Sequence, residues 1–188
     1  MMKIKIRDLG FSEKRKIYVL DHLFSVNSIK TISEKLRGLP YSFKDFDRTD
    51  TKAIKHLKHD FDDNFMVQNP DFLEIGNRAI KCLGKRLIFT GVERIYANFN
   101  LHGDLQFSHV DGNGITLLYF SNPSWNPDWL GETHFYSESD ESIAVAVSPK
   151  PGRIVAFDGR ILHRGGTPSK LCFDPRISVA FKLKGRLK

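Results

Sequence analysis

Cysteine is nearly absent from this chain. Cys82 and Cys172 stand far apart among 188 residues, and no C-x-x-C pair occurs. That excludes a thiolate-ligated metal site and leaves two thiols expected to be free in a reducing compartment. No window approaches the roughly 18 apolar residues needed to cross a bilayer as a helix. The opening stretch, MMKIKIRDLGFSEKRK, has no continuous apolar segment of signal-peptide length. The expectation is a soluble, cytoplasmic protein (host cytoplasm, if a virus encodes it) with no membrane partner. Internal repeats and low-complexity tracts are also missing. The formal charge of +7 would suit an acidic partner. Yet the basic residues are dispersed among Asp and Glu. The densest basic run, Lys182 to Lys188, lacks the interleaved aromatics of a base-stacking platform. Nucleic acid is therefore not the expected partner.

What is present points to a β-rich core. Aromatics make up 12% of the residues, with fifteen Phe, which suits a β fold with a wide apolar interior. Residues 17–24, IYVLDHLF, read as a strand. Ser25 or Asn27 can cap a following helix over 28–39, where Ile29, Ile32, Leu36 and Leu39 share one face and Gly38-Pro40 end it. Residues 41–46 alternate like a strand. The polar stretch 48–69 suggests a short helix through Ala53, Ile54 and Leu57, with His56 and His59 as exposed surface histidines. A second long helix is expected over 70–84, weakened in its middle by Gly76. From Lys85 the texture changes to short β-like runs separated by turn residues: RLIFTG, ERIYANFN, LQFSHVD, ITLLYF, ETHFY, IAVAV, RIVAF, ILHR and RISVAFKL. Asp111-Gly112-Asn113-Gly114 carries hairpin-turn chemistry. The expected class is mainly β with supporting α-helices, an antiparallel sandwich or barrel in one domain, 1–188. Within it, 1–84 would give mostly helical support with the first strands, and 85–183 the core.

One short motif carries chemistry. In an extended strand alternate side chains share a face, so His109 and Asp111 would point the same way and Val110 the other. An imidazole and a carboxylate side by side can hold two adjacent positions on a metal. With a second His they form the facial arrangement used by non-haem Fe(II) oxygenases. His163, on a later β-like run, fits as the third ligand. Arg176 and Ser178 share a face on the strand after it. A buried Arg in a β-branched strand is costly without an anionic partner, and its fork suits a carboxylate. An oxygenase that uses 2-oxoglutarate needs such a cation for the far carboxylate of that co-substrate. Rival groups are His102-Gly103-Asp104, whose glycine favours a turn, and His134, read as a core or rim histidine.

These residues also carry a likeness. Tyr96-Ala97-Asn98, Gly103, His109-Val110-Asp111, Leu117-Leu118-Tyr119-Phe120, Asn122, Trp125 and Gly131-Glu132-Thr133 lead on to Pro151-Gly152-Arg153, Phe157-Asp158-Gly159, His163, Pro168 and Arg176-Ile177-Ser178. In order and spacing they resemble the Fe(II)/2-oxoglutarate-dependent dioxygenases. Within these they are most similar to the prolyl 4-hydroxylase-like branch, with its small single-domain microbial and viral members. The likeness covers residues 90–183.

The resemblance implies a double-stranded β-helix, the jelly-roll fold. It implies Fe(II) held by His109, Asp111 and His163, and 2-oxoglutarate anchored by Arg176. It implies O2 as co-substrate and ascorbate as a supporting reductant. Leu118 and Phe120 would face the co-substrate, with Asn98 near it from the preceding strand. The chain departs from relatives that use an aromatic hydroxyl there, because the inward position falls on Phe120 and the hydroxyl on Tyr119. Many prolyl hydroxylases anchor the co-substrate with Lys, and Lys182 is the alternative anchor here. The implied activity is hydroxylation of a peptidyl prolyl residue in a peptide or protein, with release of succinate and CO2. Trp125 and Trp129 would offer an aromatic rim to such a peptide. The same chemistry on a small molecule, another side chain or an alkylated base is the alternative, as is a jelly-roll that binds metal without turnover.

Overall fold

A computed structural model describes residues 3–12 and 14–188. Met1, Met2 and Glu13, part of the N-terminal stretch considered above, lie outside the described residues. Two antiparallel sheets face each other, and helices cover the outer face of the larger one. The first strands, β1 (Lys5–Asp8) and β2 (Ile17–Asp21), lead to helix α1 (Val26–Arg37). Ser25 caps α1 by accepting the Ser28 N–H. Ile29, Ile32 and Leu36 form its buried stripe.

The segment after it departs from expectation. β3 (Ser42–Asp45) is followed by a single 3-10 turn at Thr49–Thr51, and then by strand β4 (His56–Phe61) rather than a helix through Leu57. The first four residues of HLKHDF alternate buried and partly exposed along β4, a period of two that overrides the weak helical spacing of Ala53, Ile54 and Leu57. A short helix, α2 (Asp63–Gln68), and the longer α3 (Pro70–Leu83) complete the helical layer. Gly76 in α3 has a packing role. A Cβ there would stand 3.2 Å from the Phe181 ring, so its absence lets the helix approach the sheet.

The two runs expected over 87–100 merge into one long strand, β5 (Leu87–Asn100). It pairs with the nearly as long β11 (Arg176–Leu187), with register shifts near Leu183 and Gly185 that let the ribbon bend. Between them in sequence lie β6 (Ile115–Phe120), β7 (Thr133–Tyr136), β8 (Ile143–Val147), β9 (Ile154–Asp158) and β10 (His163–Gly165). The large sheet runs β1-β2-β9-β6-β11-β5-β4-β3, and the small one β10-β7-β8. β6 and β9 are buried along their whole length. Helices lie over one face and the small sheet over the other, so these strands read as unbroken apolar runs rather than alternations. On β6 and β11, Leu117, Tyr119, Val179 and Phe181 point to the helices. Leu118, Phe120 and Ala180 point between the sheets.

Asp111-Gly112-Asn113-Gly114 makes a turn with positive φ at Gly112 and Gly114, but no hairpin. The chain before it bridges to β10 and the chain after it is β6, so the turn carries the chain from one sheet to the other. Among the described residues no helix is long and apolar enough to cross a membrane. Cys82 and Cys172 are both free.

Candidate metal centre

The site lies between the sheets, at the end where β10 meets the large sheet. His109 and His163 occupy directly opposed positions. The His109 N–H donates to the His163 carbonyl (2.9 Å) and the His163 N–H to the His109 carbonyl (3.0 Å). Two residues on, the Asp111 N–H donates to the Gly159 carbonyl (2.7 Å). Residues 109–111 are therefore extended, and His109 and Asp111 share a face, while Val110 is exposed at the mouth. The two imidazole centroids are 4.5 Å apart. His109 Nε2 is 3.6 Å from Asp111 Oδ1, and His163 Nε2 is 3.4 Å from Asp111 Oδ2. One ligand atom from each of the three lies within 4.8 Å of the others.

The outer hydrogen bonds fit a metal. Nδ1 of His109 faces the Phe107 carbonyl (3.0 Å), and Nδ1 of His163 faces the Ile161 carbonyl (2.9 Å). A carbonyl only accepts, so both Nδ1 atoms carry a proton and both Nε2 atoms point inward, each a metal ligand in the neutral imidazole. Two imidazoles and a carboxylate suit a first-row divalent ion such as iron. Burial pushes the His163 imidazole down to about 4. His109 is also pushed down by burial, but its hydrogen bond and charge interaction with Asp111, helped by the Phe107 carbonyl and Asp47, outweigh that and raise it. Asp111 resists burial through His109, Lys182 and His163 and stays ionised far below the ordinary carboxylate range.

From the triad a cavity of about 160 Å³ extends along the inner face of the large sheet. Its floor is a ladder of cross-strand neighbours. Thr116 lies opposite Lys182, Leu118 and Tyr96 flank Ala180, and Phe120 and Asn98 flank Ser178. Arg176 closes the far end. It is fully buried, donates from Nε to the Gly131 carbonyl (2.8 Å) and from an Nη to Thr133 Oγ1 (3.0 Å), and lies 5.0 Å from the Phe120 ring centre. No carboxylate among the described residues forms an ion pair with it, and burial, offset only in part by the charge of Glu132, lowers its guanidinium to about 10. Ser178 Oγ is buried beside it with no hydrogen-bond partner among the described residues.

The remaining candidates sort by position. Asn98, Leu118, Ser178 and Arg176 all line the cavity. Phe120 faces it only through its stacking under Arg176, and Tyr119 is on the opposite face, edge-on to Phe24. Lys182 is not near Arg176 but at the metal end, where it contacts Asp111 and Thr116. His102 is exposed, and Asp104 accepts the Leu101 N–H to close a turn. His134 lies outside the cavity, opposite Arg164. Trp125 and Trp129 pack edge to face on each other, and the Trp125 indole donates to the Leu130 carbonyl; neither lines the cavity.

His56 corrects the expectation of a surface histidine. It is buried on β4 and lies between Asp47 (3.1 Å) and Gln106 (3.0 Å). Asp47 in turn accepts the Phe107 N–H and lies 3.4 Å from His109 Nδ1, so this network supports the metal-side histidine from behind. Tyr96, quoted above only for the likeness, and Thr116, not singled out at all, also line the cavity. Both were legible by alternation, Tyr96 from Asn98 and Thr116 from Leu118.

No protein-family model matches the chain, and no curated protein does. Solved structures do. A prolyl hydroxylase from Trichoplax adhaerens, in complex with a hypoxia-inducible-factor peptide fragment, superposes with a TM-score of 0.64 at 15% identity, covering 89% of this chain and 83% of that one. The viral collagen prolyl hydroxylase of Paramecium bursaria Chlorella virus-1, in its 2-oxoglutarate complex, gives 0.61 at 13% identity, covering 92% and 96%. An oxidoreductase of the 2OG-Fe(II) oxygenase family from Burkholderia pseudomallei gives 0.65 at 12% identity, covering 89% and 84%. The fold is that of the 2OG-Fe(II) oxygenases. In this fold the two sheets are the halves of a jelly-roll, and the His109–Asp111–His163 cluster stands at its open end.

Proposed function

We propose that this chain is an Fe(II)- and 2-oxoglutarate-dependent dioxygenase that hydroxylates a C–H bond, with a peptidyl prolyl residue as substrate. One observation carries the reading. A buried guanidinium with no ion-paired acid among the described residues and an orphaned hydroxyl, Arg176 and Ser178, share a cavity with a His-Asp-His cluster whose Nε2 atoms face the Asp111 carboxylate. A buried cation is retained at a cost unless an anion meets it. A dicarboxylate able to reach from the metal to Arg176 meets that need.

Iron and 2-oxoglutarate would supply the oxidation, in which O2 is consumed, the keto acid leaves as succinate and CO2, and a substrate C–H becomes C–OH. The chain supplies the rest. His109, Asp111 and His163 would hold the ion on one side, leaving the other open. Arg176 and Ser178 would receive the far carboxylate and set the co-substrate's orientation. Leu118 and Phe157 give the site apolar walls that exclude water, and Phe120 backs Arg176. The prolyl substrate is supported by the prolyl hydroxylases among the structural neighbours, one of them holding a peptide.

The test has two stages. Anaerobic Fe(II) with 2-oxoglutarate should produce a visible charge-transfer band; its absence leaves a metal-binding jelly-roll without turnover. Succinate release, with ascorbate present, should then rise with a proline-rich peptide. A rise with a free amino acid or an alkylated oligonucleotide instead would keep the chemistry and replace the substrate.

A further inference from the structure

Lys182 is a buried cation that the proposed chemistry leaves without a task. Its ammonium contacts Asp111 Oδ2 and donates to Thr116 Oγ1 at 3.0 Å. Thr116 in turn donates its hydroxyl to the same Asp111 oxygen at 2.6 Å. The carboxylate is thus held twice, once by a neutral hydroxyl and once by a charge. Orientation alone needs only the first. The second places a positive charge beside the very group whose negative charge would attract a metal. Two further ammonium and guanidinium groups, on Lys58 and Arg94, approach the Tyr96 ring from the same end of the cavity. Lys58 is balanced by Asp45 and Asp60, whereas among the described residues the one carboxylate paired with Lys182 is Asp111.

We propose that Lys182 is a positioning residue that sets the charge of the metal centre: it offsets Asp111, lowers the affinity of the triad for divalent ions, and holds bound iron in the ferrous state. The inference rests on the metal-centre reading above. Its physics is repulsion that grows with the charge of the ion. A fixed cation in contact with the ligand carboxylate disfavours a dication, and disfavours a trication more. Fe(III) is therefore penalised beyond Fe(II), and the midpoint potential of the couple rises. Because Thr116 keeps its own bond to Asp111, removing Lys182 changes charge and leaves a hydroxyl to orient the ligand.

The experiment compares Lys182→Met, Lys182→Arg and Thr116→Val with the unaltered chain, using Mn(II) binding by calorimetry or by the resonance signal of the free ion. Lys182→Met should bind Mn(II) about tenfold more tightly, Lys182→Arg should stay near the parent, and Thr116→Val should bind more weakly. The Fe(III)/Fe(II) midpoint should fall in Lys182→Met alone, a change that a merely structural lysine would not produce. Unaltered or weaker Mn(II) binding by a folded Lys182→Met overturns the inference, as does a Lys182→Arg that behaves like Lys182→Met. Failure of the parent chain to bind Mn(II) removes the metal-centre reading itself, so the two failures are told apart.

Discussion

Arg176→Met separates a guanidinium kept for a ligand from one kept for the fold. In the free protein, burial holds this group at about 10 against an ordinary 12.5. Each pH unit of displacement corresponds to about 1.4 kcal/mol, so the folded chain carries a penalty of about 3 kcal/mol for the charge. Methionine removes that penalty and keeps most of the stem. It also abandons the Gly131 carbonyl and Thr133 hydroxyl, at about 1–1.5 kcal/mol each. The two effects offset, and unfolding of the metal-free variant should fall within about 2 kcal/mol of the parent. Co-substrate binding should behave otherwise. An anion that loses its buried partner forfeits about 3–5 kcal/mol, or on the order of a hundredfold to several thousandfold in affinity. Denaturant unfolding without ligand gives the first number. Calorimetry of 2-oxoglutarate binding to the Mn(II)-loaded protein gives the second. The parent should also gain stability from millimolar 2-oxoglutarate and the variant should not. A variant that loses more than about 3 kcal/mol of stability yet binds 2-oxoglutarate like the parent would show that Arg176 serves the fold, and the reasoning from its missing acid would be refuted.

Other outcomes follow from the same geometry. His109→Ala and His163→Ala should each abolish metal binding and turnover, whereas His102→Ala, in an exposed turn, should leave both within a few-fold; the reverse pattern in a metal titration would reassign the ligands. Gly131→Ala would place a Cβ at φ +85°, 3.0 Å from the Trp125 ring and 3.2 Å from Arg176 Cδ. It should cost about 1–3 kcal/mol in thermal stability and raise the 2-oxoglutarate requirement by displacing the guanidinium. An unchanged requirement would mean that the 130–132 loop yields instead. Metal uptake should strengthen as pH rises. His163 is neutral at any pH well above about 4, whereas His109, raised above 6.5, keeps its proton longer and must release it to ligate. Calorimetry at pH 6.5 in buffers of different ionisation enthalpy should find release of at most about one proton per ion; two would mean that His163 is protonated as well.

Much of the fold was legible because its strongest signals are local. Ile29, Ile32 and Leu36 mark a helix stripe whatever surrounds them. Leu117-Leu118-Tyr119-Phe120 is too uniformly apolar for anything but a strand covered on both faces. The metal-side residues were legible because strand parity places His109 with Asp111 and Arg176 with Ser178, and parity survives folding. The stretch 48–61 was not, because Leu57 and His59 owe their conformation to pairing with Phe99 and Ala97 on β5, a contact no local spacing announces. The same holds for His56, whose partners Asp47 and Gln106 come from different loops. Lys182 is the alternative anchor by resemblance, since many prolyl hydroxylases use Lys and it lies six positions after Arg176 on the same strand. A face gives direction but not depth, and only the register of β11 against Thr116 places its ammonium on Asp111.

The paired backbone of His109 and His163 has a consequence for how the molecule assembles. These residues lie on neighbouring strands and exchange both of their amide hydrogen bonds, so the imidazoles meet only once that margin of the small sheet has zipped shut. An ion across them would be a clasp on a non-local contact, reinforcing the His109–His163 bridge and the Asp111–Gly159 hydrogen bond that tie the two segments. Metal occupancy would then act as a gauge of closure, and hydrogen exchange at the His109 and His163 amides would slow with each increment of bound ion while the long β5–β11 ribbon stayed indifferent.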